Sequence, residues 1–238
     1  MTKLASDTAM VMAAGFGKRM RPLTASTPKP LIRVAGKPLV DHALDWLADV
    51  GIAQAVVNVH YLADALEAHV KDRVKPRIIV SDERAELLET GGGMAKAQHL
   101  LPDPFFCLNS DNIFLEGPRS AFHDLSAQWD ERRMDALLLV VSHDQASNFT
   151  GEGDFTLDGN GRIRRRKPGR IAPFIYSGIQ LVSKRLLRDA PPGKFSTNVL
   201  WDRAIEEDRL FGVKFTGRWF EVGTPQAIRP TEEALANA

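Results

Sequence analysis

Short apolar runs alternate with apolar residues at helical spacing over the first two-thirds of the chain. Runs bounded by turn residues are typical of buried strands, whereas apolar positions three or four residues apart indicate helices. The runs predict strands at 9–12, 55–59, 78–80, 105–108 and 136–141. The helical spacing predicts helices at 39–50, at 62–70, after residue 92 and at 121–129. This alternation predicts an α/β fold, a doubly wound and mostly parallel sheet with its ligand site beyond the carboxyl ends of the strands.

The pattern changes at about residue 151, where glycines separate shorter segments. The segments 155–157 and 162–164 predict an antiparallel hairpin. A strand at 174–182, a helix at 198–206, a strand at 211–216 and a terminal helix are expected after it. Because no linker interrupts the chain, we expect one domain over 1–238. Residues 1–150 form its first part, and 151–238 form a smaller antiparallel subregion that caps it.

Composition narrows the class of protein. The chain has 44% hydrophobic and 26% charged residues and a formal net charge of +1, which is ordinary for a globular enzyme. A nucleic-acid-binding protein would show a basic excess. No stretch has the length of a transmembrane helix or the pattern of a secretory signal, and Cys107 is the only cysteine. We therefore expect a cytoplasmic monomer or small homo-oligomer with no nucleic-acid or membrane partner.

A glycine-rich and cationic loop follows the first predicted strand. Gly15 and Gly17 allow close approach of a ligand to the backbone, and prolines keep the segment out of an α-helix. Its cations are Lys18, Arg19, Arg21 and Lys29. Together these features favour a polyphosphate ligand. The loop is neither a Walker A motif nor a dinucleotide fingerprint, since Arg19 follows Gly17-Lys18 and Met20 occupies the place of a third glycine.

The order Gly-x-Gly-x-Arg-Met-x-Pro-Leu-Thr, followed by Pro-Lys-Pro, resembles the signature of the sugar-1-phosphate nucleotidyltransferases. The resemblance covers nearly the whole chain and implies their Rossmann-like fold. It also implies their reaction, in which a sugar-1-phosphate oxygen attacks the α-phosphorus of a nucleoside triphosphate and pyrophosphate leaves. The second pKa of a phosphate monoester is about 6, so the nucleophile is already an anion at neutral pH. The protein must therefore supply cations and a divalent metal rather than a general base.

The resemblance assigns roles to individual residues. It implies that Arg19 contacts the triphosphate, that Lys29 reaches the reacting phosphates, and that Asp111 is catalytic as a metal ligand. Glu221 stands where the family usually has a second metal-binding aspartate. Carboxylates of this kind suit Mg²⁺ or Mn²⁺. The implied nucleotide-binding residues are Ala13, Ala14, Gly15, Gly17, Lys18, Arg19, Glu89, Thr90, Gly91 and Asn109.

The second part of the chain carries the implied sugar-phosphate site. Lys167 resembles the lysine of a Glu-Lys-Pro motif, but Arg166 replaces its glutamate, which predicts an extra positive charge there. A cation at Arg166 or Arg170 would suit an acceptor with an additional anionic group. The implied residues for this site are Lys29, Gly153, Asp154, Arg166, Lys167, Ser177 and Gly178.

The segment Leu-Glu-Thr-Gly-Gly-Gly at 88–93 is expected to read the nucleobase with bare glycine backbone. It resembles the N-acetylmuramate-1-phosphate uridylyltransferase branch of the family, which serves peptidoglycan recycling. The expected substrates are therefore UTP and N-acetylmuramate-1-phosphate. A guanylyl- or thymidylyltransferase acting on mannose-, heptose- or glucose-1-phosphate is one alternative, and an inactive nucleotide-sugar-binding regulatory subunit is another. The presence of Asp111, Arg19, Lys18 and Lys29 favours an active enzyme.

Overall fold

The computed structural model describes residues 3–237, which contain fourteen strands and six α-helices. The strands are β1 (Thr8–Met12), β2 (Arg33–Val34), β3 (Lys37–Pro38), β4 (Gln54–Val59), β5 (Arg77–Asp82), β6 (Phe105–Asn109), β7 (Asn112–Leu115), β8 (Ala136–Ser142), β9 (Ala146–Ser147), β10 (Phe155–Leu157), β11 (Ile163–Arg165), β12 (Phe174–Val182), β13 (Leu210–Lys214) and β14 (Arg218–Glu221). The helices are α1 (Leu39–Asp49), α2 (Ala63–Val70), α3 (Glu89–Ala97), α4 (Ala121–Gln128), α5 (Asn198–Glu206) and α6 (Ile228–Ala236).

Nine strands form one mixed sheet, in which β6, β1, β4 and β5 are parallel neighbours. Strand β12 runs antiparallel between β6 and β8, and β8 pairs in parallel with β13. The β10–β11 hairpin continues the same sheet through β10 and β12. The predicted α/β class is confirmed. The antiparallel part of the chain extends the main sheet, because the apolar strand β12 is buried against β6 and β8.

Helices cover both faces of this sheet, as a doubly wound fold requires. Successive residues of β6 point to opposite faces, so that Phe106 belongs to one apolar cluster and Phe105 to another. The first cluster includes Phe122 of α4, and the second includes Trp201 of α5. A third cluster, which includes Met20, supports the glycine-rich loop. None of the helices in residues 3–237 is long and apolar enough to cross a membrane.

The structure differs from the sequence-based expectation at one helix and at two small sheets, one of which is the antiparallel pair β2–β3. Helix α3 begins at Glu89 and contains the three glycines that were expected in a loop before it. Strands β7, β14 and β9 form a separate three-stranded sheet that the hydrophobic pattern did not predict. These strands have only two to four residues, too few for a periodic pattern.

Candidate active site

A cleft of about 390 Å³ opens at the carboxyl ends of β1, β4 and β6, the place that the fold class predicts for a ligand. Eight residues that the sequence singled out for nucleotide or metal binding line it. They are Ala13, Ala14, Gly15, Lys29, Glu89, Thr90, Asn109 and Asp111. The remaining lining residues are Met12, Pro30, Asn58, Leu87, Ser110 and Ser196.

Two hydrogen bonds fix the start of the glycine-rich loop. Ser110 Oγ donates to the Met12 carbonyl at 2.9 Å, and Ala13 N–H donates to Asn58 Oδ1 at 2.6 Å. After this start, the prolines leave only three short 3₁₀ helices, at Lys18–Met20, Leu23–Ala25 and Lys29–Leu31. The loop is therefore a fixed, non-α-helical wall of the cleft.

The two glycines of the loop differ in what they do. Gly17 has a φ of +60°, and a Cβ there would lie 2.9 Å from Lys29 Cβ, so glycine is needed for Lys29 to pass into the cleft. A Cβ at Gly15 would meet nothing within 4 Å. Gly15 therefore borders open space in the cleft. Lys18 is exposed, with its Nζ 5.7 Å from the Phe16 ring centre, and it does not line the cleft.

We expect Gly17→Ala to lower the free energy of unfolding by about 2 kcal/mol, because it adds backbone strain to a steric clash. Gly15→Ala is the matched control, and its effect should stay within about 0.5 kcal/mol. Urea denaturation of both variants makes the comparison. Equal stabilities for the two variants would contradict the assigned role of Gly17.

Two cation–carboxylate pairs lie in and next to the cleft: Lys29 and Asp111 line it, whereas Arg19 and Glu221 lie outside its lining. Lys29 Nζ is 2.5 Å from Asp111 Oδ2, and the lysine side chain is only 12% exposed. Both Nη atoms of Arg19 donate to Glu221 Oε1 at 3.2 Å. Gly223 leaves room for the second pair, since a Cβ there would lie 3.1 Å from Arg19 Nη1. The structure thus pairs two of the predicted phosphate-binding cations, Lys29 and Arg19, with the two predicted metal-binding carboxylates.

The two carboxylates come from neighbouring backbone positions, although they are far apart in the sequence. Strand β14 places Glu221 opposite Asn112, and Val222 N–H donates to the Asp111 carbonyl at 3.2 Å. Two carboxylates on neighbouring backbone positions match the hard-oxygen donor set that Mg²⁺ uses in nucleotide sites. Within residues 3–237 no group of three or more His, Cys, Asp and Glu could hold a metal, so a site of the zinc type does not fit.

The charge expected at Arg166 is compensated in the structure. Arg166 Nη1 lies 2.7 Å from Glu152 Oε2 and also donates to the Arg170 carbonyl at 3.1 Å. The chain segments that flank the β10–β11 hairpin bring Glu152 beside Arg166, so the positive charge predicted at this position has a carboxylate partner. Lys167 is exposed and forms no ion pair within residues 3–237.

The other predicted sugar-phosphate residues shape the backbone. Gly178 has a φ of +93°, and a Cβ there would clash with Asn112 and lie 3.1 Å from Asn109 Nδ2. The buried Ser177 Oγ donates to the Leu139 carbonyl at 2.8 Å. Asp154 Oδ2 accepts from Tyr176 N–H at 2.9 Å.

A similar backbone role falls to Gly153, which has a φ of +77° and no room for a Cβ against the Ala172 carbonyl. Of the residues predicted for the sugar phosphate, only Lys29 lines the cleft itself.

The glycines of α3 serve helix packing rather than an open loop. A Cβ at Gly91 would collide with the Phe195 ring, and one at Gly92 with the Gly193 carbonyl. The backbone N–H groups of Gly91 and Gly92 both donate to the Phe195 carbonyl, at 3.0 and 3.1 Å. The expectation that these glycines present free backbone to a nucleobase is therefore wrong.

The residues just before these glycines do face the cleft. Glu89 lines it with a φ of +61°, a strained conformation for a residue with a side chain. Its carboxylate lies 3.5 Å from Lys194 Nζ. Thr90 Oγ1 accepts from Thr197 N–H at 3.0 Å. Ser196 also lines the cleft, so the 193–197 segment supports the wall to which Glu89 and Thr90 belong.

Sequence reasoning missed two buried polar residues at this cleft, Asn58 in its lining and Glu83 behind it. Asn58 interrupts the apolar strand β4, and Glu83 follows the end of β5; they are 1% and 0% exposed. Burial raises the pKa of the Glu83 carboxyl, and hydrogen bonds from Asn58 and from Leu88 N–H act in the opposite direction. A polar residue near the carboxyl end of a buried strand is the signal that could have found Asn58.

Comparison with known proteins identifies the class. The sequence profile of the nucleotidyl transferase family matches residues 8–237, and the chain belongs to this family. It is an enzyme of the sugar-1-phosphate nucleotidyltransferase type.

Among the relatives, N-acetylmuramate alpha-1-phosphate uridylyltransferase of Caulobacter vibrioides is 44% identical over 235 residues, 97% of each chain. Mannose-1-phosphate guanylyltransferase catalytic subunit beta of Drosophila pseudoobscura pseudoobscura is 31% identical over 92% of this chain, which spans 59% of that protein. The solved structure of the inositol-1-phosphate CTP transferase from T. maritima superimposes with a TM-score of 0.77. The superposition covers 98% of this chain and 96% of that one, and the two share 19% sequence identity. This similarity supports the fold.

Proposed function

We propose that this enzyme transfers a uridylyl group from UTP to N-acetylmuramate-1-phosphate, giving the UDP-sugar and pyrophosphate. The observation that carries the reaction type is the pair of cation–carboxylate contacts at the cleft, Lys29 with Asp111 and Arg19 with Glu221. The choice of substrates is supported by the 44% identity to the Caulobacter uridylyltransferase over 97% of both chains.

The cleft supplies the charges that this reaction needs. Lys29, largely buried, reaches the reacting phosphates from the floor, and the exposed Arg19 binds the outer part of the triphosphate. The backbone at Ala13, Ala14 and Gly15 lies alongside the phosphates. Because the acceptor phosphate is already an anion, these residues orient it for in-line attack on the α-phosphorus and neutralise charge on the pyrophosphate.

A divalent cation, Mg²⁺ or Mn²⁺, completes the site in this proposal. Asp111 and Glu221 would hold it. When bound, it neutralises negative charge on the triphosphate and on the leaving pyrophosphate. Lys29 and Arg19 then bind phosphate oxygens in place of the carboxylates that they contact here.

In this proposal the two parts of the chain divide the substrates. Residues 1–150 bind the nucleotide, and residues 151–238 bind the sugar phosphate through Lys167 and the backbone at Gly153 and Gly178. Asp154, Ser177 and Arg166 support that backbone through the contacts described above. In this proposal the enzyme acts in the cytoplasm and binds small-molecule substrates.

Pyrophosphate release should be measured over a matrix of four nucleoside triphosphates and five sugar phosphates. The acceptors are the 1-phosphates of N-acetylmuramate, N-acetylglucosamine, mannose, glucose and heptose. We expect the highest kcat/KM with UTP and N-acetylmuramate-1-phosphate. Faster turnover of GTP with mannose-1-phosphate would favour the guanylyltransferase alternative, which the 31% identity to the Drosophila protein supports. Binding without turnover throughout the matrix would identify a regulatory subunit.

Variants of two cations should separate the two substrates. Arg19→Ala should raise the KM for UTP about tenfold and lower kcat, because it removes a charge-assisted contact to the triphosphate. Lys167→Ala should mainly raise the KM for the sugar phosphate. The exposed Lys71, just after α2, provides a control substitution to Ala. Should Lys167→Ala weaken UTP alone, the assignment of Lys167 would be incorrect.

A further inference from the structure

A chain of buried hydrogen bonds runs beneath the cleft and joins its two walls. Ala13 N–H, at the start of the glycine-rich loop, donates to Asn58 Oδ1 at 2.6 Å. Asn58 Nδ2 donates to Glu83 Oε1 at 2.8 Å. Leu88 N–H, immediately before α3, donates to Glu83 Oε2 at 3.3 Å. We call these three bonds the Asn58–Glu83 bridge.

The bridge is a built feature of the fold. Asn58 and Glu83 are almost fully buried, and buried polar groups persist in proteins when they are hydrogen-bonded. Helix α3 also accommodates them at Gly93. A Cβ at Gly93 would lie 2.9 Å from Glu83 Oε1 and 3.1 Å from Asn58 Nδ2. Glycine weakens a helix interior, so its presence here is explained by the space that the bridge needs.

Each end of the bridge is a backbone N–H group in one wall of the cleft. Ala13 belongs to the loop that faces the phosphates, and Leu88 lies between the lining residues Leu87 and Glu89. The bridge therefore fixes the separation between the phosphate-binding loop and the start of α3. A ligand that contacts both walls, as a nucleoside triphosphate must, depends on that separation.

We propose that Asn58 and Glu83 are positioning residues for the nucleotide, acting through Ala13 and Leu88. This inference rests on the proposed nucleotide site. Both oxygens of Glu83 accept hydrogen bonds, so an amide in its place would turn an N–H₂ group toward one of the two donors.

Exchanging the two side-chain types, however, preserves the whole chain of bonds. In the double variant Asn58→Asp/Glu83→Gln, the amide nitrogen at position 83 donates to the carboxylate at position 58. The amide oxygen at position 83 accepts from Leu88 N–H, and the carboxylate at position 58 accepts from Ala13 N–H. The double variant therefore keeps every donor of the bridge opposite an acceptor, whereas each single variant does not.

The experiment measures the Kd of UTP in the presence of Mg²⁺ by calorimetry for the wild type, both single variants and the double variant. Each single variant should raise the Kd about tenfold, the usual effect of one unsatisfied buried donor or of two facing carboxylates. The double variant should return to within about threefold of the wild type, because coupled residues compensate each other.

Two further variants separate positioning from general loss of stability. Asp135→Asn also converts a buried carboxylate into an amide, and it removes the negative charge that Arg185 and Arg209 share. Asp135 precedes β8 at the end of the sheet opposite the cleft, so this variant should lose stability without a change in the Kd of UTP. Gly93→Ala should crowd the bridge while improving helix propensity, and it should raise the Kd about fivefold.

The outcomes distinguish this inference from the proposed function. If the wild type binds no UTP, the nucleotide assignment fails. If the wild type binds UTP and the folded single variants bind it equally well, the positioning role is refuted. A double variant no better than the weaker single variant would also refute it. Should a single variant not fold, the double variant and Gly93→Ala decide. If both bind UTP with the Kd of the wild type, the proposal is overturned. If only Gly93→Ala binds UTP more weakly, the proposal is supported.

Discussion

Asp111→Asn should lower kcat by at least about a hundredfold, the typical loss when an important electrostatic stabiliser is removed from an active site. Asp111 lies at the cleft beside Lys29, and the backbone of Val222 connects it to the strand that carries Glu221. An amide keeps the shape of the side chain but contributes no charge to a divalent cation. The affinity for Mn²⁺ measured in the absence of sugar phosphate should fall together with kcat.

A matched control lies outside the cleft. Asp45 is paired with Lys37 at 2.7 Å and also with Arg73, so Asp45→Asn removes the charge of another ion-paired aspartate, one that does not line the cleft. We expect its kcat to remain within about twofold of the wild type. Metal removal by EDTA should abolish turnover of the wild type, and added Mg²⁺ should restore it. Full turnover in EDTA, or a nearly normal rate for Asp111→Asn, would contradict the metal assignment.

The hydrophobic pattern predicted the central strands because they are buried, and the helices because each buries one apolar face against the sheet. Strand β12 and helix α5 have the bounds expected from their apolar and helical spacing. Helix α3 was misplaced at its start because three glycines disfavour an isolated helix. Its conformation depends on packing against the segment around Phe195, which lies far later in the sequence.

Site residues that belong to one sequence motif could be predicted. Contacts between residues far apart in the sequence could not be predicted, because they depend on the tertiary structure. The loop from Ala13 to Lys29 indicates phosphate binding through its glycines and cations. The bond between Asn58 and Glu83 requires the spatial adjacency of β4 and the end of β5. The pairing of Arg166 with Glu152 depends on the register of the β10–β11 hairpin, which the basic run taken alone does not show.

Lys29→Met should lower kcat/KM about a hundredfold to a thousandfold, since it removes a preorganised cation from a partly desolvated site. Methionine keeps most of the length of the apolar stem. Lys29 Nζ lies 2.5 Å from Asp111 in a largely buried position, and the planar guanidinium of arginine is larger than this compact ammonium. Lys29→Arg should therefore recover only part of the loss. Lys37→Met, which removes the partner of Asp45, is the control and should keep nearly full activity.

Initial rates at saturating sugar phosphate, with UTP varied, give the comparison. Because Lys29 contacts reacting phosphates in this proposal, its loss should lower kcat and not only raise the KM for UTP. A variant that kept its kcat and showed only weaker UTP binding would place Lys29 at the outer phosphates. The charge of Lys29 would then contribute to UTP binding and not to the chemical step.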